Sequence, residues 1–187
     1  MRTLLLIFIF ISCTSSKPEK EETILWKEDR PLNWEDYKMR PERRFSAATT
    51  YSDVKMDLSD NVNSATITVK ALFFCHRSWK KKNWINESVL RHEQKHFDIT
   101  ELYARKLRKL LFEQKYSSFA DVQLKADSIY KVIVDKEMDA YQDKYDEETD
   151  GSMNGDKQRE WEPKIMKQIK DLEVFKNTEL TVSYTKK

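Results

Sequence analysis

The chain has 187 residues, with Lys+Arg 34 against Asp+Glu 32, 12% aromatic residues and two glycines. Balanced charge with this many aromatics excludes a disordered chain, and a net charge of +2 lacks the basic footprint of a nucleic-acid binder. Two glycines exclude collagen-like and Gly-rich phosphate-loop designs, and the length suits one domain with its own core.

In chain order, Arg2 and the unbroken apolar run Leu4 to Ile11 come first. Eight apolar residues are too few to cross a bilayer, which takes roughly 20, so residues 1–12 read as a secretory signal peptide. Phe10-Ile11-Ser12-Cys13 is similar to a bacterial lipobox, with Phe10 at the site usually held by leucine. That resemblance implies cleavage before Cys13 and lipidation of its thiol; the alternative is ordinary cleavage and release. Residues 13–25 then form a polar tether. The protein is expected to be exported to the bacterial cell envelope, periplasm or medium, touching a membrane only through a lipid anchor at Cys13. Cys75 is the only other cysteine, so the domain has no internal disulfide to lean on.

Trp26 to Tyr37 mixes tryptophans with Pro31 and reads as an extended segment with a turn. Ala47 to Met56 and Ser64 to Cys75 read as strands. The second puts Ala65, Ile67, Val69, Ala71 and Phe73 on one side of a period-2 pattern. Asp60 to Asn63 supplies the turn between them. From Asn86 the period becomes helical. One helix is predicted over Asn86 to Gln114 with Asn86 as its cap, and a second over Phe119 to Glu147, with Val122, Ala126, Ile129 and Ile133 as its apolar stripe. A third is predicted over Asp156 to Phe175, with Pro163 kinking it or marking its first turn, and Glu179 to Tyr184 is predicted to be a last strand. The expected fold class is α+β, a small antiparallel sheet followed by a helical half. It is zincin-like in carrying its motif on the first long helix, in a single domain over residues 26–187.

The motif is H-E-x-x-H at His92, Glu93 and His96. At about 100° per residue the two histidines sit about 40° apart on one helix face, where they can share one Zn²⁺. Glu93 lies close enough to serve as general base. Ile99, Tyr103, Leu107 and Leu110 continue the histidine face, so it is expected to be the buried one. A third protein ligand is required. Glu101 falls about 180° away and cannot serve, Arg105 also faces away and is expected to make ion pairs, and His76 sits in a loop where solvent suffices. The stretch Asp135 to Asp150, eight acids against two lysines, holds the remaining candidates: Glu147, Glu148 and Asp150.

The block Leu90 to Ile99, with Glu101-Leu102 and Ala104-Arg105, resembles the bacterial family known as domain of unknown function 922, described as secreted zinc-dependent proteases. Asn33 to Tyr37, Ala47-Ala48-Thr49, Ser78-Trp79, Tyr145 to Thr149 and Gln158 to Trp161 extend the resemblance in order over roughly Leu32 to Ile169. It implies a zinc peptidase acting on a peptide or protein substrate. In the family pattern a histidine closely follows the Tyr-Asp-x-x-Thr block, where this chain has Gly151. The third place is thereby left to Asp150, Glu148 or a water, and we assign it to Asp150. The competing expectation is a non-catalytic surface lipoprotein with a degenerate metal site, acting as a binding module.

Overall fold

The computed structural model describes residues 21–41 and 46–184. The signal-peptide and lipidation readings therefore lie outside the described residues. Among the described residues, six strands and four α-helices build a mixed α+β fold: β1 (Thr23–Leu25), β2 (Ala48–Thr49), β3 (Ser52–Asn61), β4 (Ser64–Phe74), β5 (Trp79–Lys80), α1 (Glu87–Phe112), α2 (Phe119–Val132), α3 (Asp139–Thr149), α4 (Gly155–Asp171) and β6 (Glu179–Ser183). No helix among the described residues is long and apolar enough to cross a membrane.

β4 is the centre of the antiparallel sheet. It pairs along its length with β3 through a two-residue turn whose Asn63 takes φ 61, a left-handed conformation that asparagine tolerates. The other edge of β4 is shared, with β6 on its first half and β1 on its last three residues. β1 falls within the stretch read as tether, so the folded part reaches back at least to Thr23. The alternation in β4 has the expected effect: Ala65, Ile67, Val69, Ala71 and Phe73 are fully buried. They face α1, where Phe73 meets Phe97 with ring centroids 5.9 Å apart.

The segment predicted as one strand over Ala47 to Met56 is divided between two sheets. β2 pairs with β5, and β3 pairs with β4. The bend at Thr50-Tyr51 is held by a hydrogen bond from the Tyr51 amide to Ser78 Oγ at 2.9 Å. It carries β2 away from the main sheet and over the start of α1.

α1 begins as predicted, with the Asn86 side chain accepting from the Val89 amide. It is buried on every side through its middle, and not only on the histidine face. Opposite the histidines, Glu101 accepts from Arg105 Nε at 2.8 Å and from Arg108 Nη1 at 3.0 Å. Arg108 is 1% exposed and also donates to the Val69 and Phe175 carbonyls. Those bonds tie α1 to the sheet and to the segment after α4. Removing one partner of such a buried pair costs about 3–5 kcal/mol, because the other charge is left without compensation.

The predicted second helix is continuous in path but not in pitch. Between α2 and α3, Ile133–Met138 is a π-helical turn. The inward stripe advances by four, three and four residues from Val122 through Ala126 and Ile129 to Ile133. It then takes one step of five to Met138 and resumes at Gln142, Tyr145 and Thr149. α4 runs through Pro163 and ends at Leu172, where φ −105 and ψ 23 leave the helical region; Glu173–Phe175 is a separate 3-10 turn. Trp161, Ile165 and Ile169 bury its inner face on both sides of the proline.

Candidate metal centre

α1 places His92 and His96 one turn apart, and α3 crosses them with Asp146. The three donor atoms form a near-equilateral triangle. His92 Nε2 and His96 Nε2 each lie 3.0 Å from Asp146 Oδ1 and 3.1 Å from each other. Four donors at 2.0–2.1 Å around a tetrahedral zinc are about 3.3–3.4 Å apart. The group could therefore hold a metal ion with little adjustment.

The outer nitrogens show what the inner ones offer. Gln142 Nε2 donates to the His96 carbonyl at 2.9 Å, which turns its Oε1 to His96 Nδ1 at 2.7 Å. Nδ1 must then carry the proton. Thr149 donates its hydroxyl proton to the Tyr145 carbonyl at 2.6 Å, so toward His92 Nδ1 at 3.4 Å it can only accept. Both neutral imidazoles thus present Nε2 lone pairs to a carboxylate oxygen. Three acceptors this close repel one another unless a cation or a proton lies among them.

Without a metal, a proton fills that role. Burial works against the charged form of His96, but the Asp146 carboxylate, the Glu93 charge and Gln142 outweigh it and raise the pKa to about 9. Burial likewise pushes Asp146 up, and the two imidazoles overcome this and hold it well below the usual carboxylate range. Asp146 is nevertheless 54% exposed, so the triad is reached from solvent.

Tyr145 stacks on His92, with ring centroids 4.8 Å apart and planes at 20°. Its neighbour Trp161 donates to Glu148 Oε2 at 2.8 Å. The remaining polar residues of the α1 motif fasten the chain before β2. Leu32 N donates to Gln94 Oε1 at 2.7 Å, while Trp26 Nε1 and Gln94 Nε2 both donate to Asp98 Oδ1, at 2.9 and 2.7 Å. Tyr37 bonds to Thr50, which donates to the Glu93 carbonyl at 3.3 Å.

A cleft of about 580 Å³ opens over the triad. Ala47 to Thr50 line one side, and Met138, Asp139 and Gln142 the other. Glu93 lines it too; its Oε2 is buried and has no hydrogen-bond partner. A buried carboxylate oxygen left without a partner is costly, which marks it as reserved for something that enters the cleft.

The structure brings His92, Glu93 and His96 together, as the motif implies. The carboxylate it sets beside them is Asp146; Asp150, assigned from the sequence, lies elsewhere. Asp150 is the exposed left-handed cap of α3, with φ 49 and ψ 49, and is outside the group of donors. Glu148 is engaged by Trp161 and lies 3.7 Å from Lys144. His76 is exposed, 3.4 Å from Glu22. Glu101 and Arg105 are held in the opposite-face cluster, and Tyr103 packs on Tyr141 away from the cleft. Gly151 does line the cleft, at φ +52, and an added Cβ there would meet nothing within 4 Å, although that φ strains any other residue.

Outer partners of metal-bound histidines typically contribute 10–100-fold to affinity. Gln142→Leu should therefore weaken metal binding about 10- to 100-fold in a chelator competition, and should also cost the metal-free protein about 1–3 kcal/mol by leaving the His96 Nδ1–H without an acceptor. An unchanged affinity would show that His96 needs no partner at Nδ1.

No curated protein and no solved structure matches the chain. A family model described as "Bacterial protein of unknown function (DUF922)" matches residues 29–154, about two thirds of the sequence. That span runs from the residues that fasten onto Gln94, through the H-E-x-x-H helix, to the turn after Thr149. The chain belongs to this bacterial family of unknown function.

Proposed function

We propose that the protein is a zinc-dependent peptidase with a zincin-like site, in which His92, His96 and Asp146 hold the ion and Glu93 is the general base. One observation carries this reading: three convergent donors beside a buried, unpartnered carboxylate oxygen, all lining one open cleft. A zinc ion held by the triad would supply Lewis acidity, polarising a substrate carbonyl and acidifying water. Glu93 Oε2 takes one proton from the attacking water as its oxygen adds to the peptide carbon. It then passes that proton to the nitrogen as the C–N bond breaks. The paired histidines and zinc-type spacing favour zinc over the hard cations that prefer all-oxygen sites.

The competing reading, a non-catalytic binding protein with a degenerate metal site, gains nothing from Gly151 once Asp146 supplies the third donor. The apolar run Leu4 to Ile11 and the cysteine that follows support export to the cell envelope, with anchoring through Cys13.

Metal uptake must displace the proton held by His96. Zinc titration calorimetry at pH 7 in buffers of different ionisation enthalpy should show one equivalent bound and about one proton released. Affinity should rise up to tenfold per pH unit until about pH 9. In the metal-free protein the sign is the opposite. The folded pKa of His96 lies above its ordinary value, so its stabilising contribution is full below about pH 6.5 and is lost as pH rises through about 9. Zinc binding without proton release would place the ion elsewhere.

A further inference from the structure

The described walls of the cleft carry several carboxylates. Among the described residues that line it there is no lysine or arginine, while Glu93, Asp139 and Asp146 all do. A divalent ion would be offset by Asp146 and Glu93. That leaves Asp139, on the α3 side, without a counter-charge among the described lining residues.

Asp139 does not stand alone. Asp143 lies four residues on, one turn along α3, and Asp135 lies four residues back within the π-helical turn. None of the three has an ion-pair partner among the described residues, although their lysine neighbours are close in sequence. Like charges at this spacing destabilise a helix. Their effect is felt at Asp139, whose carboxyl is pushed up by burial and then by Asp135, Asp143 and Asp53. An acidic cluster alone would be a solvated surface. Here Asp139 itself lines a cleft that also holds Glu93, 5% exposed, with Oε2 buried and unpartnered.

We infer that the cleft takes cationic peptides, and that Asp139, backed by Asp135 and Asp143, selects a substrate lysine or arginine. This rests on the hydrolase reading. The spacing gives a position. Asp139 and Asp146 are seven residues apart, about 10 Å along the helix, and an extended peptide advances about 3.3 Å per residue. A peptide laid along α3, with its scissile bond at the triad, would therefore carry the basic side chain about three residues from that bond.

The test uses zinc-loaded Glu93→Gln protein and neutral-dye hexapeptides that differ only in carrying Lys or Glu. Fluorescence anisotropy at about 50 mM salt should give about tenfold tighter binding of the Lys peptide, with the gap narrowing at high salt as the charges are screened. Adding Asp139→Lys, at an exposed position, should abolish or invert the preference. Equal affinities, no binding of either peptide, or a preference that survives Asp139→Lys overturns the inference. Cleavage by the wild type without preference for Lys or Arg also overturns it and leaves the peptidase reading standing. Preferential binding of the Lys peptide with no cleavage by the wild type does the reverse.

Discussion

With Asp146 replaced by alanine, the protein should purify without zinc and should fail to retain it against a chelator, whereas Asp150→Ala should keep a full equivalent. Asp146 Oδ1 stands 3.0 Å from both Nε2 atoms and closes the triangle of donors. Two imidazoles on one helical turn remain in the variant, and two ligands are one fewer than catalytic zinc sites use. The loss should exceed the 10–100-fold that follows removal of an outer partner. Asp150 is the exposed left-handed residue that ends α3 and has no part in the group of donors. Metal content by mass spectrometry together with chelator competition reads both variants. Equal retention by wild type and Asp146→Ala would remove Asp146 from the site, and loss in Asp150→Ala would put the third donor where the sequence first suggested.

Glu93→Gln should separate metal from chemistry. The amide has the shape of the carboxylate but cannot accept the proton, so peptide cleavage should fall by about 10²–10⁴-fold, the range a positioned acid–base group contributes. Zinc content should stay at one equivalent, because Glu93 is not among the three convergent donors. Its Oε2 has no hydrogen bond to lose, and the change removes a buried charge, so unfolding temperature should hold or rise. A variant that cleaves as fast as wild type would assign the observed hydrolysis to another protein. One that loses zinc would make Glu93 a ligand.

The parts of the molecule legible in the sequence are those whose signal is periodic and uninterrupted. Alternation from Ala65 to Phe73 gave the central strand and its buried face, and the four-residue spacing of His92 and His96 gave the two imidazole donors. Ala47 to Met56 shows strand character throughout, but nothing in an alternating pattern says that its first residues pair with β5 and the rest with β4. The third donor was hidden by pitch. Carrying the stripe on from Ile133 at about 100° per residue puts Glu147 on the inward face and turns Asp146 away. One extra residue in the π turn reverses that result. The signal that could have found Asp146 was Met138, Gln142, Tyr145 and Thr149 read as a single face of spacing four, three and four, with Asp146 next to Tyr145 at its edge. The pairing of β1 was also illegible, because an exposed residue and two half-buried ones after a charged stretch carry no period.

The wide turn between α2 and α3 also bears on how this part of the protein can change. The residues before it are in phase with the sheet, and those after it are in phase with the histidines of α1. The turn passes from one phase to the other by its count of residues, whatever their side chains. Ile133 to Met138 could therefore drift far in identity so long as the inward positions stay apolar. The loss of a single residue would swing the whole of α3 by about 100°. Chain length is the quantity this stretch holds fixed, and relatives that keep the triad should differ here by substitution, not by gaps.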